Sequence, residues 1–188
     1  SIVARENMVC SGLALIPLLF EVFKTDNIHV GLNLVDGDFI SKGSLIGHIE
    51  GSVDHLLVVE RTLLNFLQKL SGISTYASNL VKIVEPYGVS LLDTRKTTPG
   101  MRQLEKYATA CGGCFNHRMG LNDRILIKDN HLAAAKIDSS NQLLEFLARI
   151  REKKPNVMIE LEIDHLEYID AAIDANVDIL LLDNFSPL

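Results

Sequence analysis

The spacing of hydrophobic positions changes several times along this chain, and each change marks an element. Over positions 28–35 apolar residues fall on every second place (Ile28, Val30, Leu32, Leu34), the spacing of a half-buried strand. Asp36-Gly37-Asp38 reads as a turn, and 44–50 as another strand closed by Gly51. Positions 2–10 predict a strand leading into Ser11-Gly12. Positions 14–24 have helical spacing, with Pro17 near the first turn, where proline is tolerated. The strongest signal is at 53–70, where Leu56, Leu63, Leu64, Leu67 and Leu70 recur with helical period. Ser71-Gly72 predicts a break there. A second helix, 74–85, is then expected to stop at Pro86 and Gly88.

The second half has a different rhythm. Four apolar runs (89–93, 125–129, 157–163 and 178–183) alternate with helical segments. The first helix is expected over 99–110, with Thr98 as N-cap and Pro99 at its first position. The second is 142–153, with Ser139 and Gln142 spaced as a capping box. The third is 166–175, with Asp164 as N-cap and Asn176 as a left-handed stop. Strand–helix alternation with near-continuous apolar strands implies a parallel sheet covered on both faces. The fold class is therefore α/β: an N-terminal α/β layer over 1–88 and a barrel-type α/β domain over 89–188. The chain opens inside one strand-like run and closes just after another. It is expected to be a piece of a longer protein with an incomplete sheet, since a strand buried on both faces should not end a closed one.

Composition adds exclusions. A net charge of −6 over 188 residues argues against a broad nucleic-acid-binding field. No apolar run reaches the roughly 18 residues of a membrane span, and the longest candidate, 13–20, contains Pro17. Three cysteines (Cys10, Cys111, Cys114) are too few for a disulfide framework and suit reduced thiols in a cytoplasmic protein. The lone C-x-x-C at Cys111–Cys114 reads as a packed turn.

Against this acidic background, residues 91–128 gather Arg95, Lys96, His117, Arg118 and Lys128 at turns or at the end of an apolar run. Arginine suits bidentate carboxylate or phosphate binding, and lysine serves as a point charge. Thr97-Thr98, read as a helix opening, adds backbone N–H groups facing an anion. Later strand ends deliver Glu160 and Glu162, two apart and so on one face, and Asp183. Charges at the C-terminal ends of parallel strands share one mouth, the active-site end of an α/β barrel. Glu162 and Asp183 suit a divalent cation with oxygen ligands, Mg²⁺ arriving with a phosphate substrate. The chemistry indicated is transfer between two anionic substrates. His131 reads as a capping or packing residue, and Arg61 as the solvated flank of its helix.

An ordered set of segments then carries a resemblance: Glu60-Arg61-Thr62-Leu63-Leu64-Asn65, Leu70-Ser71-Gly72-Ile73, Thr94-Arg95-Lys96-Thr97-Thr98-Pro99-Gly100, Glu105-Lys106-Tyr107, Asn116-His117-Arg118, Leu126-Ile127-Lys128-Asp129-Asn130-His131, Glu160-Leu161-Glu162 and Leu182-Asp183-Asn184-Phe185. Together they resemble the quinolinate phosphoribosyltransferase family. The resemblance implies an N-terminal α/β sandwich and an open, seven-stranded α/β barrel. It implies conversion of quinolinate and phosphoribosyl pyrophosphate, with Mg²⁺, to nicotinate mononucleotide, pyrophosphate and CO₂ in de novo NAD synthesis. It implies at least a dimer, with Arg61 reaching into the neighbouring subunit's site. Arg95, His117, Arg118 and Lys128 would hold the quinolinate carboxylates. Lys96 would serve the phosphoribosyl pyrophosphate, and Thr94 would join the substrate contacts. Glu162 and Asp183 would lie at the Mg²⁺ and ribose, with Glu160 nearby. Lys96, Lys128, Glu162 and Asp183 are the expected catalytic groups. Two other readings remain open: a Schiff-base lyase with Lys128 as nucleophile, and a truncated chain that binds a pyridine acid without turning it over.

Overall fold

The computed structural model describes residues 1–186. They divide into two compact units, one from Ser1 to His117 and one from Arg118 onward. The division suggested by strand–helix alternation, at 88/89, thus falls inside the first unit.

In the first unit the expected strand at 2–10 is two short ones: β1 (Ile2–Val3) and β2 (Met8–Val9). They join different sheets. α1 (Leu15–Val22) follows, with Pro17 in its first turn as expected. β3 (His29–Leu32), β4 (Phe39–Ile40) and β5 (Leu45–Glu50) complete the sheets. β1, β5 and β3 form an antiparallel sheet in that order, and β2 pairs antiparallel with β4. Both sheets pack on one helix.

That helix, α2 (Val53–Val84), runs unbroken through Ser71-Gly72, where a break was expected. The reason is tertiary. Ser71 and Ser74 are buried, and their hydroxyls bond to backbone. Ser71 Oγ accepts from the Ser11 N–H at 3.0 Å, and Ser74 Oγ donates to the carbonyls of Leu70 (3.0 Å) and Ala108 (2.7 Å). Thr75 Oγ1 accepts from the Val9 N–H at 2.9 Å and donates to the Ser71 carbonyl at 2.6 Å. Small polar residues let loops approach the helix closely here, and interior packing outweighs their weak helix propensity. Ser52 caps the start, its hydroxyl accepting from the His55 N–H. One face of α2 (Val59, Leu63, Leu67, Leu70) is buried. Each such leucine or valine contributes about 1.5–3 kcal/mol.

The run 89–93 forms no strand. Leu92 makes an isolated parallel bridge to Phe115. The next helix, α3 (Arg102–Cys111), begins later than expected, because Thr98 is not its N-cap. The Thr98 N–H instead donates to Glu105 Oε2 at 3.0 Å, and Thr98–Met101 closes a turn with Gly100 at φ 78°. The segment after Arg95-Lys96 is therefore a tethered loop. α3 ends at Gly112, where an added Cβ would lie 2.4 Å from the Ser74 carbonyl oxygen. The C-x-x-C is the packed turn expected, with free thiols.

The second unit is a parallel sheet of β6 (Ile125–Ile127), β7 (Ile159–Ile163) and β8 (Ile179–Leu182), in that order. Between β6 and β7 lie α4 (Asp129–Ala134) and α5 (Ser140–Lys153), and α6 (Ile169–Asp174) follows a single 3₁₀ turn at Leu166–Tyr168. His165, not Asp164, precedes that turn. Ser139 occupies the N-cap of α5 without a side-chain bond; Gln142 accepts from the Asp138 N–H instead. Asn176 is left-handed (φ 50°), as expected. Leu143 and Leu147 of α5, and Ala171 and Ala172 of α6, pack with Ile159, Leu161 and Ile163 of β7. The alternate residues of β7 are glutamates, so its second face is charged, not apolar as a doubly covered strand would be. No described helix is long and apolar enough to cross a membrane.

Candidate active site

Strand register places the acidic candidates. Leu126 and Ile179 both pair with Glu160, and Leu181 pairs with Glu162, so these side chains share one face of the second unit's sheet. Lys128 is still extended (φ −130°, ψ 169°), so by period two Arg124, Leu126 and Lys128 line the same face. Asp183 continues the row of β8, its N–H donating to the Ile163 carbonyl at 2.9 Å. Two ion pairs span neighbouring strands there. Lys128 Nζ donates to Glu162 Oε2 at 2.6 Å, and Arg124 Nη1 lies 3.5 Å from Glu160 Oε2. Glu160 is 2% exposed, a depth at which a carboxylate needs a cation. Lys128 is better exposed, 39% by side chain, and so faces solvent as well as Glu162.

Lys128 is also the N-cap of α4. Its N–H donates to Nδ1 of His131 at 3.0 Å. His131 is thus the capping residue expected. Asp183 is exposed and accepts from the Asn184 amide at 2.8 Å. Arg118 donates to the Arg124 carbonyl at 3.5 Å. Asp123 closes the intervening loop by accepting the N–H groups of Met119 and Gly120.

In the first unit, Thr94, Arg95 and Lys96 lie on the tethered loop. The Lys96 N–H donates to Thr94 Oγ1 at 3.0 Å, while its side chain is exposed. Arg102 of α3 reaches back to Thr97 Oγ1 (3.3 Å) and the Arg95 carbonyl (3.5 Å). Glu105 holds the Thr98 N–H and also Lys69, at 3.0 Å. These contacts, the Thr98 bond foremost, lower the Glu105 carboxyl below the usual range. Arg95 Nε is buried with no hydrogen-bond partner among the described residues. A buried guanidinium donor left unmatched costs free energy unless an acceptor arrives. Arg61 is exposed on α2.

The feature missed in the sequence is Asp93. Its carboxylate is 6% exposed by side chain and forms an ion pair with Lys106, which is 1% exposed. It also accepts the His117 N–H at 2.8 Å and the Thr109 hydroxyl at 3.3 Å. With its amide oriented to donate, Asn116 Nδ2 reaches Asp93 Oδ2 at 2.6 Å and the Lys106 carbonyl at 3.0 Å. Asp93 and Lys106 each sit in a segment read for other reasons. Lys106 gave no signal of its own, because Arg102 and Glu105 are charged positions on the same helix. Nearby, burial pushes the Cys114 thiol up, with the Asp93 charge adding to it.

Comparisons with known proteins identify the family. The family model for the N-terminal domain of quinolinate phosphoribosyl transferase matches residues 1–71, and that for the C-terminal domain matches residues 73–188. A probable nicotinate-nucleotide pyrophosphorylase (carboxylating) of Bacillus subtilis is 40% identical over 99% of this chain and 63% of its own length. The nicotinate-nucleotide pyrophosphorylase (carboxylating) of Mycobacterium leprae is 38% identical over 98% of this chain and 64% of its own. Among solved structures, the nicotinate-nucleotide pyrophosphorylase of Francisella tularensis superposes with a TM-score of 0.91 at 38% identity, over 98% of this chain and 64% of that one. NadC from Streptococcus pyogenes gives 0.89 at 39% identity, with the same two coverages. The chain thus spans a little under two thirds of the length of these relatives. With both family models matched and identity of this order across nearly all of its length, the chain belongs to the quinolinate phosphoribosyltransferase family.

Proposed function

We propose that the protein transfers the phosphoribosyl group of phosphoribosyl pyrophosphate to quinolinate, yielding nicotinate mononucleotide, pyrophosphate and CO₂ in NAD biosynthesis. Family membership carries this reading, and the buried Nε of Arg95, unmatched among the described residues, supports it as a donor suited to a ligand carboxylate. Arg95, His117, Arg118 and Lys128 are assigned to the two quinolinate carboxylates. Several cations suit this dianion better than the monoanion nicotinate.

Binding orients the ring so that its nitrogen attacks the anomeric carbon as the C–O bond to pyrophosphate breaks. The ring nitrogen becomes cationic. The neighbouring carboxylate then leaves as CO₂, and its electron pair stays on the ring carbon beside that nitrogen until a proton arrives. Lys128, braced by Glu162 at 2.6 Å, contributes a cation of fixed direction. Lys96 and Thr94 are assigned to the phosphoribosyl pyrophosphate. Glu162 and Asp183 offer carboxylate oxygens on one face of adjacent strands, a donor set that fits Mg²⁺ completed by water and phosphate oxygens. Bound there, Mg²⁺ would neutralise charge on the departing pyrophosphate. The proposal includes a cytoplasmic location, which three free thiols fit. It also includes a homodimer or larger assembly in which exposed Arg61 serves the neighbouring site.

The test is product formation: quinolinate-dependent release of pyrophosphate and CO₂ from phosphoribosyl pyrophosphate in the presence of Mg²⁺. Release dependent on Arg95 and Lys128 is expected. Quinolinate binding without release would favour the non-catalytic reading. A Schiff-base role for Lys128 is disfavoured by its donation into Glu162, and a borohydride-trapped adduct would reverse that judgement.

A further inference from the structure

We infer that Asp93, with Lys106, is a positioning pair that holds the backbone of His117 in register with the Arg95 loop. The inference rests on the functional reading above and deepens it. Asp93 lies two residues before Arg95 and accepts the N–H of His117, 24 residues later in the chain, at 2.8 Å. The same carboxylate takes Lys106 and Thr109, both from α3. α3 also supplies Arg102, which binds the Arg95 carbonyl and Thr97, and Glu105, which binds the Thr98 N–H. One helix therefore anchors both cation-bearing segments, and its only fully buried charge, Lys106, is directed at the residue that joins them.

The joint is completed by backbone. The Asp93 N–H donates to the Phe115 carbonyl at 3.1 Å, and the Phe115 N–H to the Leu91 carbonyl at 2.8 Å. Asn116 adds a bridge from Asp93 to the Lys106 carbonyl. A buried ion pair is a poor way to gain stability, because desolvation offsets much of the attraction. It is a good way to fix direction. A packed apolar pair would fill the same space without offering the His117 N–H an acceptor. Neither Asp93 nor Lys106 is placed against substrate by this reading. They act through His117 and Arg95.

The test compares two charge-neutral double variants. Asp93→Asn/Lys106→Met keeps an oxygen for the His117 N–H, and Asp93→Ala/Lys106→Met removes it. Quinolinate affinity is measured by calorimetry at a temperature where both are folded by circular dichroism. The expected result is near wild-type affinity in the first and a loss of about 10- to 100-fold in the second, the scale of a misplaced binding group. Equal affinity in both, or equal loss in both, overturns the inference. If neither double variant folds, amide hydrogen exchange in the wild type decides: slow exchange at His117 is expected, and exchange at the rate of an open loop overturns the proposal. A wild-type chain that binds no quinolinate would instead overturn the functional reading, and the exchange result would still stand by itself.

Discussion

Replacing Lys106 by methionine removes the buried cation and keeps the volume. Lys106 is 1% exposed, and the Asp93 side chain left behind is 6% exposed. Stripping one partner from a buried ion pair costs about 3–5 kcal/mol, because the remaining charge stays desolvated. Asp93 keeps the His117 N–H, the Thr109 hydroxyl and the Asn116 amide, so the lower end applies, about 3 kcal/mol. Against a domain stability of roughly 5–15 kcal/mol this is a large fraction. With a urea slope near 2 kcal/mol per molar, the midpoint falls by about 1.5 M. The assay is equilibrium urea denaturation followed by circular dichroism. Tyrosine fluorescence serves as a second probe, since the chain has four tyrosines and no tryptophan. A loss below about 1 kcal/mol, the worth of an exposed pair, would refute the burial argument. So would a variant as stable as the wild type.

Other outcomes follow from the same contacts. Leu161 is 0% exposed at the centre of the second unit's core, so Leu161→Ala is expected to cost about 2–5 kcal/mol, read by the same denaturation. Asp178 accepts the Ile159 N–H and pairs with Arg151, and the first of these chiefly holds its carboxyl below the usual value of 3.8. A carboxyl lowered by folding adds stability that is full above its unfolded value and is lost as pH falls through the folded one. Asp178→Asn should therefore flatten the stability profile on the acid side of pH 3.8, and an unchanged profile would contradict this. Burial raises the Cys10 thiol to about 11. Cys10 should resist thiol reagents at pH 8 in the native state, and rapid modification before unfolding would argue against its packing.

The sequence was most legible where one element carries its own signal. α5, α6 and the three parallel strands were expected within a few residues of where they lie, because each pairs a helical or strand period with local stop signals. The break at Ser71-Gly72 was misplaced because hydroxyls that weaken an isolated helix bind backbone from Val9, Ser11 and Ala108 here. The strand at 89–93 failed because only Leu92 finds a pairing partner, Phe115. Thr98 reads as an N-cap by its spacing, but a glutamate seven residues on claims its N–H. The Lys128–Glu162 contact was half legible. The strand ends placed both charges at one mouth, but pairing of 128 with 162 needs the register of β6 against β7. Asp93 was illegible as a hub because its partners lie 13, 16 and 24 residues away, a separation with no local pattern.

The central claim is that the cations named here bind a pyridine dicarboxylate. Calorimetric titration of the folded chain with quinolinate, with nicotinate as control, tests it most directly. Saturable quinolinate binding in clear preference to nicotinate, weakened by 10-fold or more in Arg95→Ala through loss of a charge-assisted contact of about 1.5–3 kcal/mol, is the expected result. Equal affinity for the two acids, or quinolinate binding indifferent to Arg95, would contradict it.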